Sequence, residues 1–318
     1  MNEQLRNYVA LHRGEIEEAL RRWLPVSSQP GARRLNEALD YALFPGGKRL
    51  RPVFALLASE LAGATREQAT LVACAVEFIH TSSLILDDLP SMDDAGLRRN
   101  REALHLVYGE GLAVLAAVAL LNQAYALLTR TARGSRRAVA VELLLKETAR
   151  SIGADGMVGG QVVDLELRAG GAGAEATEAV ASRDLKTVAL MRLMMTAGAL
   201  ACDADAAQTR ALARFGECVG RAYQICDDLL DQLGLTAELG KPALQDARHL
   251  RLNSVGALGV EGAQRLAVSL VEDGIDTLEE RFGARLEVRL LGECARLVLR
   301  RVEQLESPVH AYAFAQPF

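Results

Sequence analysis

Aromatic residues and prolines are scarce in this chain of 318 residues. Aromatic side chains make up 4% of the sequence, and none of the eight prolines lies between Pro90 and Pro242. Alanine and leucine dominate this proline-free stretch. Because proline interrupts helices whereas alanine and leucine favour them, the stretch predicts successive long helices.

Other absences exclude whole classes of protein. The longest purely apolar run, residues 112–121, is about half as long as a bilayer span requires, so we expect no membrane span. The basic residues form no polybasic tract and the net charge is −5, which argues against nucleic acid as a partner. Hydrophobic residues make up 50% of the chain, which excludes intrinsic disorder.

The cysteines and the N-terminal residues indicate the cellular compartment of the protein. The five cysteines have neither the paired spacing of a disulfide framework nor that of a zinc site, so we expect reduced thiols. The first residues are charged throughout and contain no apolar segment of the kind that a secretory signal has. We therefore expect a cytoplasmic protein whose mature chain starts near Met1.

Helical periodicity covers nearly the whole chain, and we find neither strand alternation nor a repeat of fixed period. The predicted helices are residues 2–24, 33–44, 50–61, 67–88, 101–131, 136–152, 156–168, 176–201, 205–233, 260–282 and 284–305. No loop between them is distinct enough to be a linker between domains. The sequence therefore predicts one all-α domain over residues 1–318, a helical bundle.

Two clusters of aspartates interrupt this apolar helical sequence. The first comprises Asp87, Asp88, Asp93 and Asp94, and the second comprises Asp227, Asp228 and Asp231. Asp227 and Asp231 are four residues apart and share one helical face, where like charges repel. Because burying carboxylates is costly without a compensating charge, these clusters predict a bound cation.

Residue type narrows the choice of cation. No histidine or cysteine accompanies the aspartates at metal-site spacing, so their oxygens favour Mg²⁺, with Mn²⁺ as the alternative, over zinc or iron. Proteins usually hold Mg²⁺ by one or two carboxylates together with phosphate oxygens of a substrate, which predicts a phosphorylated ligand. A single acidic cluster is more often a solvated helix end, but two clusters flanked by apolar helix favour the metal site.

Short basic segments supply the charge that a phosphate site needs. They comprise Lys48, Arg49 and Arg51 behind two glycines, Arg98 and Arg99 after the first aspartate cluster, Lys186 beside Thr187, and Lys241. Taken singly, each is typical of a surface residue with a buried stem, whereas together they could form two diphosphate sites. His80 lies seven residues before Asp87 on the same helical face, about 10 Å away, which favours a substrate contact over a core histidine.

In order and spacing, these motifs resemble those of the trans-isoprenyl diphosphate synthases. The segments concerned are GGKRLRP (46–52), HTSSLILDDLPSMDDAGLRR (80–99), GMVGGQVVDL (156–165), LKT (185–187), YQICDDLLD (223–231) and GKP (240–242). The resemblance implies an all-α bundle around a deep central cavity, the type I isoprenoid synthase fold, and a homodimer. It also implies head-to-tail addition of isopentenyl diphosphate to an allylic diphosphate.

The resemblance further implies the role of each residue. The magnesium ligands would be Asp87, Asp93 and Asp227, with Asp88, Asp228 and Asp231 completing the acidic motifs. Isopentenyl diphosphate would bind Lys48, Arg51, His80 and Arg99, and the allylic diphosphate Arg98, Lys186, Thr187, Gln224 and Lys241, with Arg251 in place of a further family lysine. The leaving diphosphate would take the final proton, since no protein base is evident.

The sequence departs from the family pattern at two places. It reads RRNREALH at 98–105 where RRGKPTxH is common, and Val118 stands where the family often has aspartate. The second departure, together with Leu86, resembles bacterial carotenoid-type geranylgeranyl diphosphate synthases.

The residues before the first aspartate cluster predict the length of the product. Ser82 and Ser83 lie about 6–8 Å along the helix from Asp87, where farnesyl-producing relatives often carry an aromatic residue. Small residues there leave a channel open until a deeper bulky side chain such as Phe78. We therefore expect geranylgeranyl diphosphate, with farnesyl or a longer polyprenyl diphosphate as the alternative.

Two competing functions use similar residues. A class I terpene cyclase also has aspartates and Mg²⁺ but needs one diphosphate site, and the additional set around Lys48 and His80 argues against it. A non-catalytic partner subunit of a synthase would not need both aspartate motifs, and both are intact here.

Overall fold

The structure, a computed structural model, describes residues 1–44, 47, 49–133, 135, 139–168, 176–232 and 254–303, and the statements below concern these residues. Its helices are α1 (Glu3–Trp23), α2 (Arg33–Leu43), α3 (Leu50–Leu61), α4 (Arg66–Asp87), α5 (Leu104–Tyr108), α6 (Glu110–Ala132), α7 (Ala140–Ile152), α8 (Met157–Arg168), α9 (Ala176–Ala201), α10 (Ala206–Gln232), α11 (Ser254–Phe282) and α12 (Leu286–Glu303). A short 3-10 helix, Pro30–Ala32, precedes α2. The predicted all-α class is confirmed.

Local sequence explains where the helices begin. The side chain of Asn2 caps α1 by accepting a hydrogen bond from the backbone N–H of Leu5. Thr65 and Gln68 form a reciprocal capping box at the start of α4. Residue Gly259, with φ of 70°, interrupts the helical geometry of α11 near its start. The starts of α1 and α4 therefore follow from residue chemistry that the sequence already displays.

Helix α4 is the central helix, and its packing places the first aspartate cluster. It packs against α3, α6 and α9, and most of its residues are buried in one continuous apolar core. Helix α9 packs against α4 on one side and against α8 and α10 on others. As a result, α9 lies between the two helices that carry the aspartate clusters.

The five cysteines are free, as their spacing predicts, and four of them are buried. Burial raises the pKa of Cys74 and of Cys294 to about 12, so both thiols stay protonated at neutral pH. The cytoplasmic location stays a prediction.

A β-hairpin corrects two expectations from the sequence. Strand β1 (Leu97–Arg98) pairs antiparallel with β2 (Arg101–Glu102), although no strand was expected and residue 101 was predicted to start a long helix. The two turn residues, Arg99 and Asn100, have φ of 52° and 61°. Positive φ at both central positions is the geometry of a tight two-residue hairpin turn, and asparagine tolerates it.

The long helix predicted over 101–131 is also divided. Gly109, with φ of 88°, separates α5 from α6 because this left-handed backbone ends one helix before the next begins.

The hairpin was missed for a different reason. Strands of two residues are too short to produce a visible alternation of polar and apolar residues, so periodicity could not reveal them.

Among the described residues, α4 and α6 are long and apolar enough to cross a membrane by length and composition. The most apolar window of α4 is 78% buried, which is the burial of a core helix, whereas that of α6 is 39% buried. Helix α6 thus presents apolar residues at the surface. The absence of a membrane span stays a prediction.

Candidate active site

The C-terminal end of α4 is the meeting point of three helices. Asp87, the last residue of α4, is buried, and its Oδ2 lies 2.6 Å from Lys186 Nζ on α9. Lys186 Nζ also donates to Oε1 of Gln161 on α8, at 2.8 Å. The packing of α8 requires glycine here, because a Cβ on Gly160 would lie 2.7 Å from the backbone nitrogen of Lys186.

The loop after α4 brings Asp93 back to Asp87. The backbone N–H of Asp93 donates to the carbonyl oxygen of Asp87 at 2.8 Å. Burial raises the pKa of the Asp87 carboxyl, the Lys186 ammonium opposes that shift, and the negative charge of Asp93 adds to it. The two predicted metal ligands of the first cluster are therefore close enough to sense each other's charge.

Asp88 ties the hairpin to the end of α4. Arg98 Nε donates to both carboxylate oxygens of Asp88, at 3.0 and 3.1 Å, and Arg98 Nη2 donates to Oδ1 as well. Burial raises the pKa of Asp88 and the hydrogen bonds from Arg98 oppose the rise. The guanidinium is thus held beside the first cluster, where the sequence placed an allylic diphosphate ligand.

The second cluster connects to α9 through Gln224. Thr187 Oγ1 donates to Gln224 Oε1 at 3.3 Å, and Gln224 Nε2 donates to Asp228 Oδ1 at 3.1 Å. Asp227 is half-buried on the same helix, α10. Consecutive residues of α9, Lys186 and Thr187, therefore contact the groups of the first and of the second motif.

A second group of cations surrounds His80. The ring is buried, and its pKa lies well below the usual range because of burial first and then the positive charges of Arg51 and Arg99. The guanidinium of Arg51 lies over the ring of Tyr223, 5.6 Å from its centroid. A Cβ on Gly47 would lie 3.7 Å from Arg99 Nε, so Gly47 and the hairpin turn are neighbours.

The sequence departure RRNREALH has a structural role. Asn100 occupies the hairpin turn, and Arg101 fastens the second strand to α2. Its guanidinium lies 3.8 Å from the centroid of the Tyr41 ring, and its Nη1 donates to the carbonyl oxygen of Phe44 at 3.1 Å. Tyr41 donates its hydroxyl to the carbonyl oxygen of Glu102 at 3.0 Å. The hairpin that carries Arg98 and Arg99 is therefore attached to the helix that precedes the GGKRLRP segment.

The residues expected to determine product length have different surroundings on α4. Ser82 is buried and donates to the carbonyl oxygen of Ala117 on α6 at 2.9 Å. Ser83 is half-buried and donates to the carbonyl oxygen of His80 at 2.9 Å. Phe78 is fully buried in the core. Ser82 therefore lies at the contact between α4 and α6.

Sequence reasoning missed Glu77, which is buried in α4 and bonded to Arg49, and it named Arg49 without a specific role. The available signal was a lone carboxylate within the apolar sequence of that helix. Lys48, Lys241 and Arg251 lie outside the described residues, as does the side chain of Asp231. Their predicted roles stay predictions.

The geometry can be compared with known proteins. The polyprenyl synthetase family model matches residues 32–270. The chain belongs to the polyprenyl synthetase family. One relative is named geranylgeranyl pyrophosphate synthase 9, chloroplastic, and comes from Arabidopsis thaliana. It is 39% identical over 250 residues, which cover 77% of this chain and 68% of that protein.

Solved structures agree with membership of the polyprenyl synthetase family. An FPP/GFPP synthase from Zymomonas mobilis is 32% identical, with a TM-score of 0.79 over 93% of this chain and 98% of that chain. A geranyltransferase from Legionella pneumophila is 25% identical, with a TM-score of 0.80 over 96% of this chain and 100% of that one. The predicted family, the isoprenoid synthase fold and the enzyme class, a short-chain trans-prenyltransferase, are confirmed.

The donor atoms of the site fit a divalent cation that a ligand helps to hold. In the part of the chain that the structure describes, no three His, Cys, Asp or Glu residues converge to hold a metal by themselves. The available donors are the hard oxygens of Asp87, Asp93 and Asp227. One or two such carboxylates with phosphate oxygens and water are the usual surroundings of Mg²⁺.

Proposed function

We propose that this chain adds isopentenyl diphosphate head-to-tail to an allylic diphosphate in a Mg²⁺-dependent reaction, and that its product is geranylgeranyl diphosphate. The observation that carries the proposal is the position of Lys186, whose Nζ lies 2.6 Å from Asp87 Oδ2 while the adjacent Thr187 bonds to Gln224 of the second motif. One helix thereby presents cationic and polar donors between two acidic clusters, which suits a diphosphate bound together with metal ions.

Two separate groups of cations support two diphosphate sites. Lys186 and Arg98 lie with the aspartates and would bind the allylic diphosphate. Arg51 and Arg99 lower the pKa of His80 more than Arg98 and Lys186 do, and they would bind isopentenyl diphosphate. A class I terpene cyclase needs one such site, so the second group favours a synthase.

Asp87, Asp93 and Asp227 would hold Mg²⁺, with Mn²⁺ as the alternative. When bound, the metal offsets negative charge on the diphosphate. Lys186 and Arg98 act on the same charge directly, because donors already in place stabilise the anion that develops as the allylic carbon–oxygen bond breaks. Their fixed positions, held by Asp87 and Asp88, avoid the cost of reorganisation during that step.

The isopentenyl double bond then attacks the allylic cation, and a proton leaves. The lowered pKa of His80 makes this imidazole a weak base. The departed diphosphate would accept the proton. An apolar cavity would exclude water, which would otherwise capture the cation.

We expect the length of the product to follow from Ser82 and Ser83, which are smaller than aromatic residues at these positions would be. Relatives that carry the geranylgeranyl name support this length. The test is incubation of the purified protein with isopentenyl and farnesyl diphosphates, with products sized by mass spectrometry. We expect geranylgeranyl diphosphate, and Ser82→Tyr should shorten the product. Failure to extend farnesyl diphosphate would contradict the proposed length.

We also propose that the chain forms a homodimer through α6. Leu115 and Val118, three residues apart on this helix, are 58% and 56% exposed. A contiguous exposed apolar face of this kind is usually covered by another protein surface. A second copy of the chain is the occupant that the family resemblance implies.

The remaining alternative is a partner subunit of another chain. One relative, 35% identical over 267 residues that cover 83% of this chain and 69% of that protein, is named the large subunit 2 of a heterodimeric geranylgeranyl pyrophosphate synthase in Arabidopsis thaliana. Activity of the purified chain by itself would support the homodimer. Activity that appears only after a second chain is added would support the alternative.

A further inference from the structure

Glu77 is a carboxylate in the core of the protein. It is 2% exposed and lies on α4, three residues before His80. Its Oε1 accepts a hydrogen bond from Arg49 Nη1 at 2.5 Å and lies 3.8 Å from Arg99 Nη2. A single carboxylate oxygen therefore faces two guanidinium groups, one from the start of α3 and one from the hairpin turn.

The two arginines are engaged to different degrees. Besides Glu77, Arg49 bonds through Nε to Glu17 Oε1 at 2.8 Å and through Nη2 to the carbonyl oxygen of Leu43 at 2.8 Å. Its guanidinium is thus occupied by protein groups and buried. Arg99 lies beyond hydrogen-bonding distance of Glu77, so it keeps its donors available for an anion while the carboxylate still attracts it.

The backbone of Arg49 has an unusual conformation at the start of α3. Its φ of 51° lies in the left-handed region, which is rare for residues other than glycine, and the residue caps the start of α3. Arg51 follows two residues later in the first turn of that helix. Arg49 and Arg51 therefore lie at the same end of α3.

Charge balance gives Glu77 a second effect. Burial lowers the pKa of Arg99, Glu77 opposes this shift, and Arg49 and Arg51 add to the lowering. Without a bound anion these guanidiniums repel one another. The negative charge of Glu77 offsets part of that repulsion from within the core.

We propose that Glu77 is a positioning residue for the isopentenyl diphosphate site, holding Arg49 as an anchor and keeping Arg99 beside Arg51 and His80. This inference rests on the proposed function. Glu77 does not contact the substrate, and it acts through the arginines. Two neighbouring cations of one motif then have separate roles, because Arg49 stabilises the protein and Arg51 binds the ligand.

Glu77→Gln tests the inference because it removes the charge and keeps the shape of the side chain. We expect the KM for isopentenyl diphosphate to rise about tenfold, equivalent to about 1.4 kcal/mol, with kcat and the KM for the allylic diphosphate changed less than about twofold. Glu60→Gln is the matched control, since Glu60 is also paired with an arginine, Arg66, but at the start of α4, about 16 Å along the helix from Glu77. It should leave all three parameters unchanged.

A milder variant serves if Glu77→Gln does not fold, as judged by circular dichroism. Glu17 contacts the other side of Arg49 and is less buried, so Glu17→Gln should raise the same KM by a smaller factor. A folded variant that leaves this KM unchanged, or raises both KM values equally, would overturn the inference. Wild-type protein that forms no condensation product would overturn the proposed function instead.

Discussion

Lys186 Nζ lies 2.6 Å from Asp87 Oδ2, which joins two residues that are 99 positions apart in the sequence. The same ammonium bonds to Gln161, and the next residue, Thr187, bonds to Gln224. Helix α9 therefore connects both aspartate motifs at one level of the bundle. Lys186 is thereby held between the two motifs, where it can act on a diphosphate.

Removing this ammonium should slow the chemical step. Lys186→Ala should lower kcat about 10²–10³-fold, the usual cost of deleting one donor to a developing anion. Lys186→Arg keeps the positive charge, so its kcat should fall less than that of Lys186→Ala. Steady-state kinetics with both diphosphates provide the measurement, and Lys146→Ala, at an exposed position of α7, is the control. A kcat of Lys186→Ala close to that of the wild type would refute the role of Lys186.

The contact between α8 and α9 should tolerate no side chain at Gly160. A Cβ there would lie 2.7 Å from the backbone nitrogen of Lys186, so Gly160→Ala must push the two helices apart. We expect a loss of about 1–3 kcal/mol in the free energy of unfolding, measured by chemical denaturation, together with reduced activity. Gly14→Ala is the control, because a Cβ at Gly14 of α1 meets nothing within 4 Å and should stabilise the helix by about 0.5–1 kcal/mol. Equal stabilities of the two variants would show that the close approach is unimportant.

The hairpin turn should depend on the residue at position 100. Its φ of 61° suits glycine, so Asn100→Gly should keep the thermal unfolding temperature and the KM values. Asn100→Val places a β-branched residue in the left-handed region, which costs about 1–2 kcal/mol. We expect this variant to unfold at a lower temperature and to bind both diphosphates less tightly, because the turn carries Arg98 and Arg99. Identical melting curves for the two variants would contradict the assigned turn geometry.

The apolar face of α6 should determine the oligomeric state. Leu115→Glu places a charge on a residue that is 58% exposed, and it should convert the dimer to a monomer in light scattering after size-exclusion chromatography. Leu286, 47% exposed on α12, gives the control Leu286→Glu, which should remain dimeric. A wild-type monomer, or a dimer that persists in Leu115→Glu, would be incompatible with the proposed interface.

The buried neutral imidazole of His80 should make the free protein less stable in acid. In the unfolded chain the histidine binds a proton near its ordinary pKa of about 6.5, whereas in the folded protein it does so only at lower pH. The unfolded state therefore takes up more protons as pH falls from 7.5 to 5.5, and stability falls by up to about 1.4 kcal/mol per pH unit below the unfolded pKa.

His80→Gln removes this contribution. The difference in free energy of unfolding between the variant and the wild type, measured by urea denaturation without ligand, should move in favour of the variant as pH falls. A difference that is independent of pH would show that His80 has the same proton affinity in both states.

Local sequence was sufficient for most helices. The predicted bounds 50–61 and 176–201 coincide with α3 and α9, because apolar periodicity and helix-breaking residues act within a few positions. The hairpin at 97–102 was missed, since its strands have two residues each and its turn uses Arg99 and Asn100 in place of the usual glycine. Short-range patterns contain no information about strands of that length.

The sequence by itself determined which carboxylates, cations and small residues the protein has and on which helices most of them lie, because helix formation and residue chemistry are local properties. Only the tertiary structure decided which of them pair. Asp87 meets Lys186, and Glu77 meets Arg49 and Arg99, because helix packing brings together residues that lie far apart along the chain. Burial then shifts their proton affinities, and that effect depends on the whole surrounding core rather than on any neighbouring residue in sequence.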